Sequence, residues 1–221
     1  MSQKILLVEG ESDKDFFREL CCIIGLEKLD IKIRVSTPKD CGSRRDGKQS
    51  AINLLPLFMK QLTDGSITHL GMVVDADHVT DHGLGFARTL EQIIDTIRKF
   101  GYGVSSEPNT AGLIFPHSDG LSDFGLWIMP DNNLDGMLED WLKQVVHINE
   151  KKLFEQVKST VALLENPKFK PIHCSKAEVA TWLAWQKIPG KGLYAAVTDN
   201  LIDMESESVK QLVSWLHQVY Q

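Results

Sequence analysis

Two apolar runs in this chain end in the same way, and that ending constrains the fold more than any other feature. In KILLVEGESD, residues 4–13, four apolar residues run straight into Glu9 and Gly10. In GMVVDADHVTD, residues 71–81, a second run stops at Asp75, with Asp77 two residues on. A short, unbroken apolar run bounded by turn residues is the signature of a strand buried on both faces, as in a parallel sheet. Parallel strands need crossover connections, and helical patterns supply them. After the first run, Ser12 is a candidate cap and Asp13 and Asp15 suit the first turn, where acids favour the helix dipole. Phe16, Phe17, Leu20, Ile23 and Ile24 form the apolar stripe, and Gly25 ends it.

The alternation continues. IKIRV at 31–35 is β-branched and alternating, so it predicts a strand nearer a sheet edge. A polar loop at 36–50 precedes a helix at 51–62, with Pro56 as a kink or the mark of a late start. A strand at 69–74, a helix at 86–100 stopped by Gly101, and short strands at 111–115 and 124–129 follow. Strand and helix in alternation imply an α/β fold with a mainly parallel central sheet flanked by helices. From 134 onward the pattern is helical only, at 134–147, 150–165, 176–187 and 206–220. The expected organisation is an α/β core over 1–133 and a helical C-terminal extension over 134–221, packed on the core as one compact unit.

Composition removes some functions. The formal charge is −6, so the chain lacks the basic footprint of a protein that coats nucleic acid by bulk attraction. Bound cations would cancel local carboxylates, so a metal-dependent enzyme is not penalised in the same way. Cys21, Cys22, Cys41 and Cys174 offer no C-x-x-C spacing, which reads as free thiols in a reducing compartment. The first apolar run is too short for a secretion signal, and no run is long enough to span a bilayer. The expectation is a cytoplasmic protein with no membrane partner.

The acids at the strand ends carry the chemistry. In open parallel sheets, ligands bind outside the carboxyl ends of the strands. Glu9, then Asp75 and Asp77, then Asp131 each follow a predicted strand and would meet at one end of the sheet. The outer carboxylates of Asp-x-Asp can reach one cation, and magnesium is often held by one or two carboxylates with waters and phosphate oxygens. Gly10 suits a tight turn that brings backbone close to a phosphate.

Glu9-Gly10 after the first strand and Asp75-Ala76-Asp77 after a later one resemble the Toprim domain, over about residues 1–130. Primases of the bacterial type, topoisomerases and the overcoming-lysogenization-defect nucleases share that domain. The segments LVEGESD, VVDAD, GLWIMPDNNLDGMLEDWL and KAEVATWLAWQKIPGKGL are similar to small stand-alone Toprim-like proteins of unassigned function, over nearly the whole chain. The resemblance implies a Toprim-like Rossmannoid core. It implies Glu9 as general acid or base, and Asp75 and Asp77 as ligands of Mg2+, with Mn2+ as an alternative. IMPDNNLDGMLEDWL adds Asp131 and Glu139, which would match the second acidic cluster of the overcoming-lysogenization-defect nucleases. In the same segment Asp135 could cap the helix that carries Glu139 and Asp140.

Several basic groups could meet a phosphate. Lys176 opens a helix and Lys191 lies in PGKG, and either could neutralise transition-state charge. Lys39, Arg44, Arg45 and Lys48 make the strongest local basic patch and could grip a phosphate backbone. His78 and His82 flank Asp81, where capping and surface roles compete with a softer metal.

The expected function is a magnesium-dependent phosphodiester enzyme, a nuclease acting on DNA or RNA. No zinc module supports a primase, and no tyrosine domain supports a topoisomerase. Two other classes stay open. One is a non-catalytic Toprim-like module that binds nucleotide, nucleic acid or protein. The other is a phosphatase of the haloacid-dehalogenase kind, whose nucleophile motif VVDADHV fits, although a whole strand–helix unit precedes it.

Overall fold

The computed structural model describes residues 3–35, 47–81, 83–103 and 112–221. Lys39, Arg44, Arg45, Cys41 and His82 lie outside them. The strands are β1 (Gln3–Val8), β2 (Ile31–Val35), β3 (Ile67–Asp75), β4 (Leu113–Phe115) and β5 (Phe124–Met129). They form one sheet in the order β2-β1-β3-β5-β4. β2, β1, β3 and β5 are parallel, and β4 pairs antiparallel at the edge. The helices are α1 (Glu11–Ile23), α2 (Gly47–Thr63), α3 (Gly85–Ile97), α4 (Leu138–Gln144), α5 (Lys151–Ala162), α6 (Cys174–Ala184), α7 (Ala195–Thr198) and α8 (Glu207–Tyr220). Among the described residues, no helix is long and apolar enough to cross a membrane.

Side chains alternate across the sheet and build two cores. Leu6 and Val8 of β1, Val73 of β3, and Trp127 and Met129 of β5 point to one face, where α1 and the C-terminal helices cover them. Ile5 and Leu7, Met72 and Val74, and Leu126 and Ile128 point to the other, under α2 and α3. β1, β3 and β5 are thus buried on both sides, which is why each reads as an unbroken apolar run, whereas edge strand β2 is only half-buried and alternates.

The C-terminal helix α8 lies directly on the sheet. At Gly71 of β3 a Cβ would sit 2.6 Å from the Tyr220 hydroxyl, and at Gly125 of β5 it would sit 2.3 Å from Val219 Cγ2. Tyr220 then donates its hydroxyl proton to the Ile5 carbonyl at 2.7 Å, and Lys4 Nζ donates to the Tyr220 carbonyl at 2.6 Å. Gly125→Ala should therefore cost about 1–3 kcal/mol by overpacking. A thermal melt would show it as a loss of about 2–4 °C per kcal/mol for a chain of this size.

Three local expectations need correction. The second helix begins at Gly47, and Pro56 sits inside it. Ala51, Ile52, Leu55, Phe58, Met59 and Leu62 are buried along its face. At about 1.5–3 kcal/mol for each large side chain, that outweighs the roughly 3 kcal/mol cost of an interior proline. Ser12 is not the cap of α1; Gly10 is, and its N–H donates to Asp13 Oδ2 at 2.9 Å. The helix expected at 134–147 is only Leu138–Gln144: Asp131 closes a turn before it, and Asp135 accepts from the Phe86 N–H instead of capping it.

Candidate active site at the strand ends

Neighbouring β1 and β3 send their following helices to opposite faces, α1 to one and α3 to the other. Such a divergence opens a crevice at the carboxyl ends of the two strands. The register pairs Leu7 with Met72, so Glu9 comes level with the end of β3. Its Oε1 accepts a hydrogen bond from the Asp75 N–H at 2.8 Å. Asp75 Oδ1 in turn accepts from the Leu138 N–H at 2.9 Å, at the start of α4. No described residue donates to the second oxygen of either carboxylate.

Asp13 joins them. By reaching back to the Gly10 N–H it brings its carboxylate from the first turn of α1 toward the end of β1. Glu9, Asp13 and Asp75 line a recess of about 10 Å³, walled by Phe17, Val73, Met129 and Leu138. That is room for roughly one water-sized occupant. Gly10 itself is extended, at φ −140°, and its N–H is spent on Asp13, so it offers no special turn and no N–H to a phosphate.

Asp77 follows a different course. It sits at φ 60°, and its N–H donates to the Gly136 carbonyl at 2.9 Å. Its carboxylate is ion-paired with Lys48. Lys48 is buried at 4 % exposure, and its Nζ also donates to the Asp75 and Ala76 carbonyls at 3.1 and 3.0 Å. Lys48 is therefore no part of an outward basic patch. It neutralises Asp77 and pins the turn after β3.

The 131–140 segment divides in the same way. Asp131 Oδ1 accepts from the Asn133 and Leu134 N–H groups at 3.1 and 2.8 Å. Asp135 caps α3, not α4, by accepting from the Phe86 N–H at 2.7 Å. Asp140 accepts from the Met137 N–H at 2.9 Å and from the Ser175 hydroxyl, and faces His78 Nε2 at 3.3 Å. Glu139 is the acid of this segment whose charge bears on the strand-end group, at Asp13 and Asp75.

A family model described as "Protein of unknown function (DUF3226)" matches residues 3–221. The chain belongs to the DUF3226 family. No curated protein and no solved structure matches it.

In this DUF3226 chain the strand-end carboxylates strain against one another. Removal from water, then the neighbouring charge of Asp75, push the Glu9 carboxyl well above the usual range. Burial, then repulsion from Asp13 and Glu139, do the same to Asp75. Asp13 rises to about 6, chiefly through burial, with Glu139 adding and Lys176 opposing. Lys176 answers this charge: burial works against its ammonium, but Glu139, Asp75, Glu9 and Asp13 outweigh it and hold its pKa above the ordinary lysine value. Lys191 faces Asp199, donating to both carboxylate oxygens at 2.7 Å.

The donors suit a hard divalent cation. Among the described residues nothing donates to the second oxygen of Glu9 or of Asp75, both share a recess of ion size with Asp13, and the local charge is negative. Among the described residues no three His, Cys, Asp or Glu side chains are gathered as a ready-made cage. A cation held here could take only one or two of these carboxylates and would complete its shell from other oxygens, as magnesium often does.

Sequence reasoning placed Asp13 only as a dipole-favouring acid and missed its place in the cluster. The signal was present: an acid three residues after the first helical cap is the reach-back spacing of a capping box. The position of Asp140 between α4, α6 and the turn after β3 carries no comparable signal, because its partners Ser175 and His78 are far away in sequence.

Proposed function

We propose that the strand-end carboxylates form the active site of a divalent-cation-dependent phosphodiester hydrolase acting on nucleic acid. The observation that carries this reading is Glu9: a carboxyl held by one oxygen, with a raised proton affinity, at the mouth of the crevice between β1 and β3. The likeness of Glu9-Gly10 and Asp75-Ala76-Asp77 to the Toprim pattern supports it independently.

In this reading Glu9 Oε1 stays fixed by the Asp75 N–H, while Oε2 is free to hand its proton to the leaving oxygen of a phosphodiester. A carboxyl that keeps its proton near neutral pH suits that task better than an ordinary one. Lys176, charged and solvent-exposed beside the cluster, would stabilise negative charge growing on the phosphate. Asp75, with Asp13 beside it, would hold Mg2+ or Mn2+ while Glu9 keeps its proton, and Asp77 with Lys48 would shape the turn that presents Asp75. When bound, the cation would polarise the phosphoryl oxygen.

The test is a panel of single- and double-stranded DNA and RNA, incubated with Mg2+ or Mn2+. Cleavage of at least one substrate, abolished by chelation, is expected. Metal-dependent binding with no cleavage of any substrate would instead support a non-catalytic Toprim-like module.

A further inference from the structure

A cleft of about 310 Å³ opens beside the carboxylate cluster, in the C-terminal helices. Its walls include Ser12 from α1, Glu139 from α4, Lys176 and Ala180 on successive turns of α6, Leu183, and Leu193 from the segment before α7. Two of these residues face both ways. Glu139 lines the cleft and repels the carboxylates of Asp13 and Asp75. Lys176 lines it and is drawn by Glu139, Asp75, Glu9 and Asp13. The cleft is thus linked to the site by charge, and Ser12 and Glu139 on its wall are the chain neighbours of Asp13 and Leu138 in the recess.

We propose that this cleft seats a single unpaired nucleotide unit, with its phosphate at Lys176 and its sugar and base along Ala180, Leu183 and Leu193. The volume is at the lower end of the roughly 300–1,000 Å³ found for small-ligand sites, so it suits one nucleotide better than a duplex. The polarity is divided. Lys176, Glu139 and the Ser12 hydroxyl are the polar groups tied to the cluster, Lys191 is held by Asp199, and the rest of the lining is aliphatic or glycine. A ligand with one charged end and one flat, largely apolar end matches that lining. Lys191 also borders the cleft, but its charge is held by Asp199, which leaves Lys176 as the phosphate partner among the described cleft residues.

The cleft borrows from the proposed activity only the direction in which the phosphate points. It implies that substrates enter as single strands or unpaired ends, and that the reacting phosphate is the one next to the seated nucleotide.

The experiment measures binding alone. Nucleoside 5′-monophosphates, the matching unphosphorylated nucleosides and inorganic phosphate are titrated by calorimetry into the intact protein with Mg2+ present. The same titrations use Ala180→Trp, which fills the cleft from an exposed position, and Lys176→Gln. Monophosphates should bind at least tenfold more tightly than either the nucleosides or phosphate. Ala180→Trp should lose that binding at least tenfold while keeping the wild-type melting temperature and its response to Mg2+. Lys176→Gln should bring the monophosphates down to the level of the nucleosides. Equal monophosphate binding by wild type and a folded Ala180→Trp would overturn the assignment, as would phosphate binding as tightly as the monophosphates. A lost Mg2+ response with nucleotide binding intact would remove the cation reading and leave the cleft standing.

Discussion

Replacing Glu9 by Gln should lower the rate of phosphodiester cleavage by on the order of 10²–10⁴. Glutamine keeps the length of the side chain and an oxygen that can accept from the Asp75 N–H, so the 2.8 Å link between β1 and β3 survives. What it loses is the transferable proton. The pH profile separates this from a structural effect. In the wild type, activity that depends on protonated Glu9 should decline as pH rises through its elevated pKa. In the variant that limb should vanish, with the residual rate flat over the same range. Equal rates in the two proteins would mean that Glu9 moves no proton.

The second large effect is on stability. Glu9, Asp13 and Asp75 all hold protons more tightly in the folded chain than in the unfolded one. A native state that binds the extra protons loses stability as they leave. The loss begins near the ordinary carboxylate value of about 4. It is complete for Asp13 above about 6 and runs higher for the other two. Without a divalent cation, the protein should therefore give up stability as pH rises across this window. Asp75→Asn can still accept from the Leu138 N–H but carries no charge, so the fall should be shallower in that variant. The comparison is best made as the difference between the two proteins' melting temperatures at each pH, because other carboxylates cancel in it. Magnesium should reverse the loss at neutral pH in the wild type alone. At a hundred times its Kd a ligand adds about 2.7 kcal/mol, and each kcal/mol moves the melting temperature of a chain this size by about 2–4 °C.

The fold was legible where burial forces a period on the sequence. β1, β3 and β5 are covered on both faces, so their apolar runs and the acids that end them could be read directly. Gly25 and Gly101 were read correctly as stops because each takes a positive φ, 80° and 86°, at the end of a helix. Legibility failed where long-range contacts override local chemistry. The helix at 51–62 was read through Pro56 because the core decides the stripe beneath it, but Asp135 misled because its capping partner, Phe86, lies 49 residues away.

The candidate site divides along the same line. Glu9 and Asp75 were placed by strand logic alone. The pairing of Asp77 with Lys48 was not, since it depends on how α2 meets the turn after β3. Lys48 read as one member of a basic loop because its sequence neighbours are basic, whereas its side chain is buried and paired with Asp77. Asp131, leaving a strand, and Glu139, one turn into a helix, were read together as one acidic cluster. Asp131 is committed to its own turn, whereas the charge of Glu139 bears on Asp13 and Asp75.

The most direct test is calorimetric titration of Mg2+ and Mn2+ into the intact protein and into Asp75→Asn at neutral pH. The wild type should show saturable uptake accompanied by proton release, because the Asp75 and Asp13 carboxyls, which hold protons, must lose them to hold a cation. Asp75→Asn should show neither the uptake nor the proton release while remaining folded. Identical binding in the two proteins, or none in either, would contradict a cation site at the ends of β1 and β3.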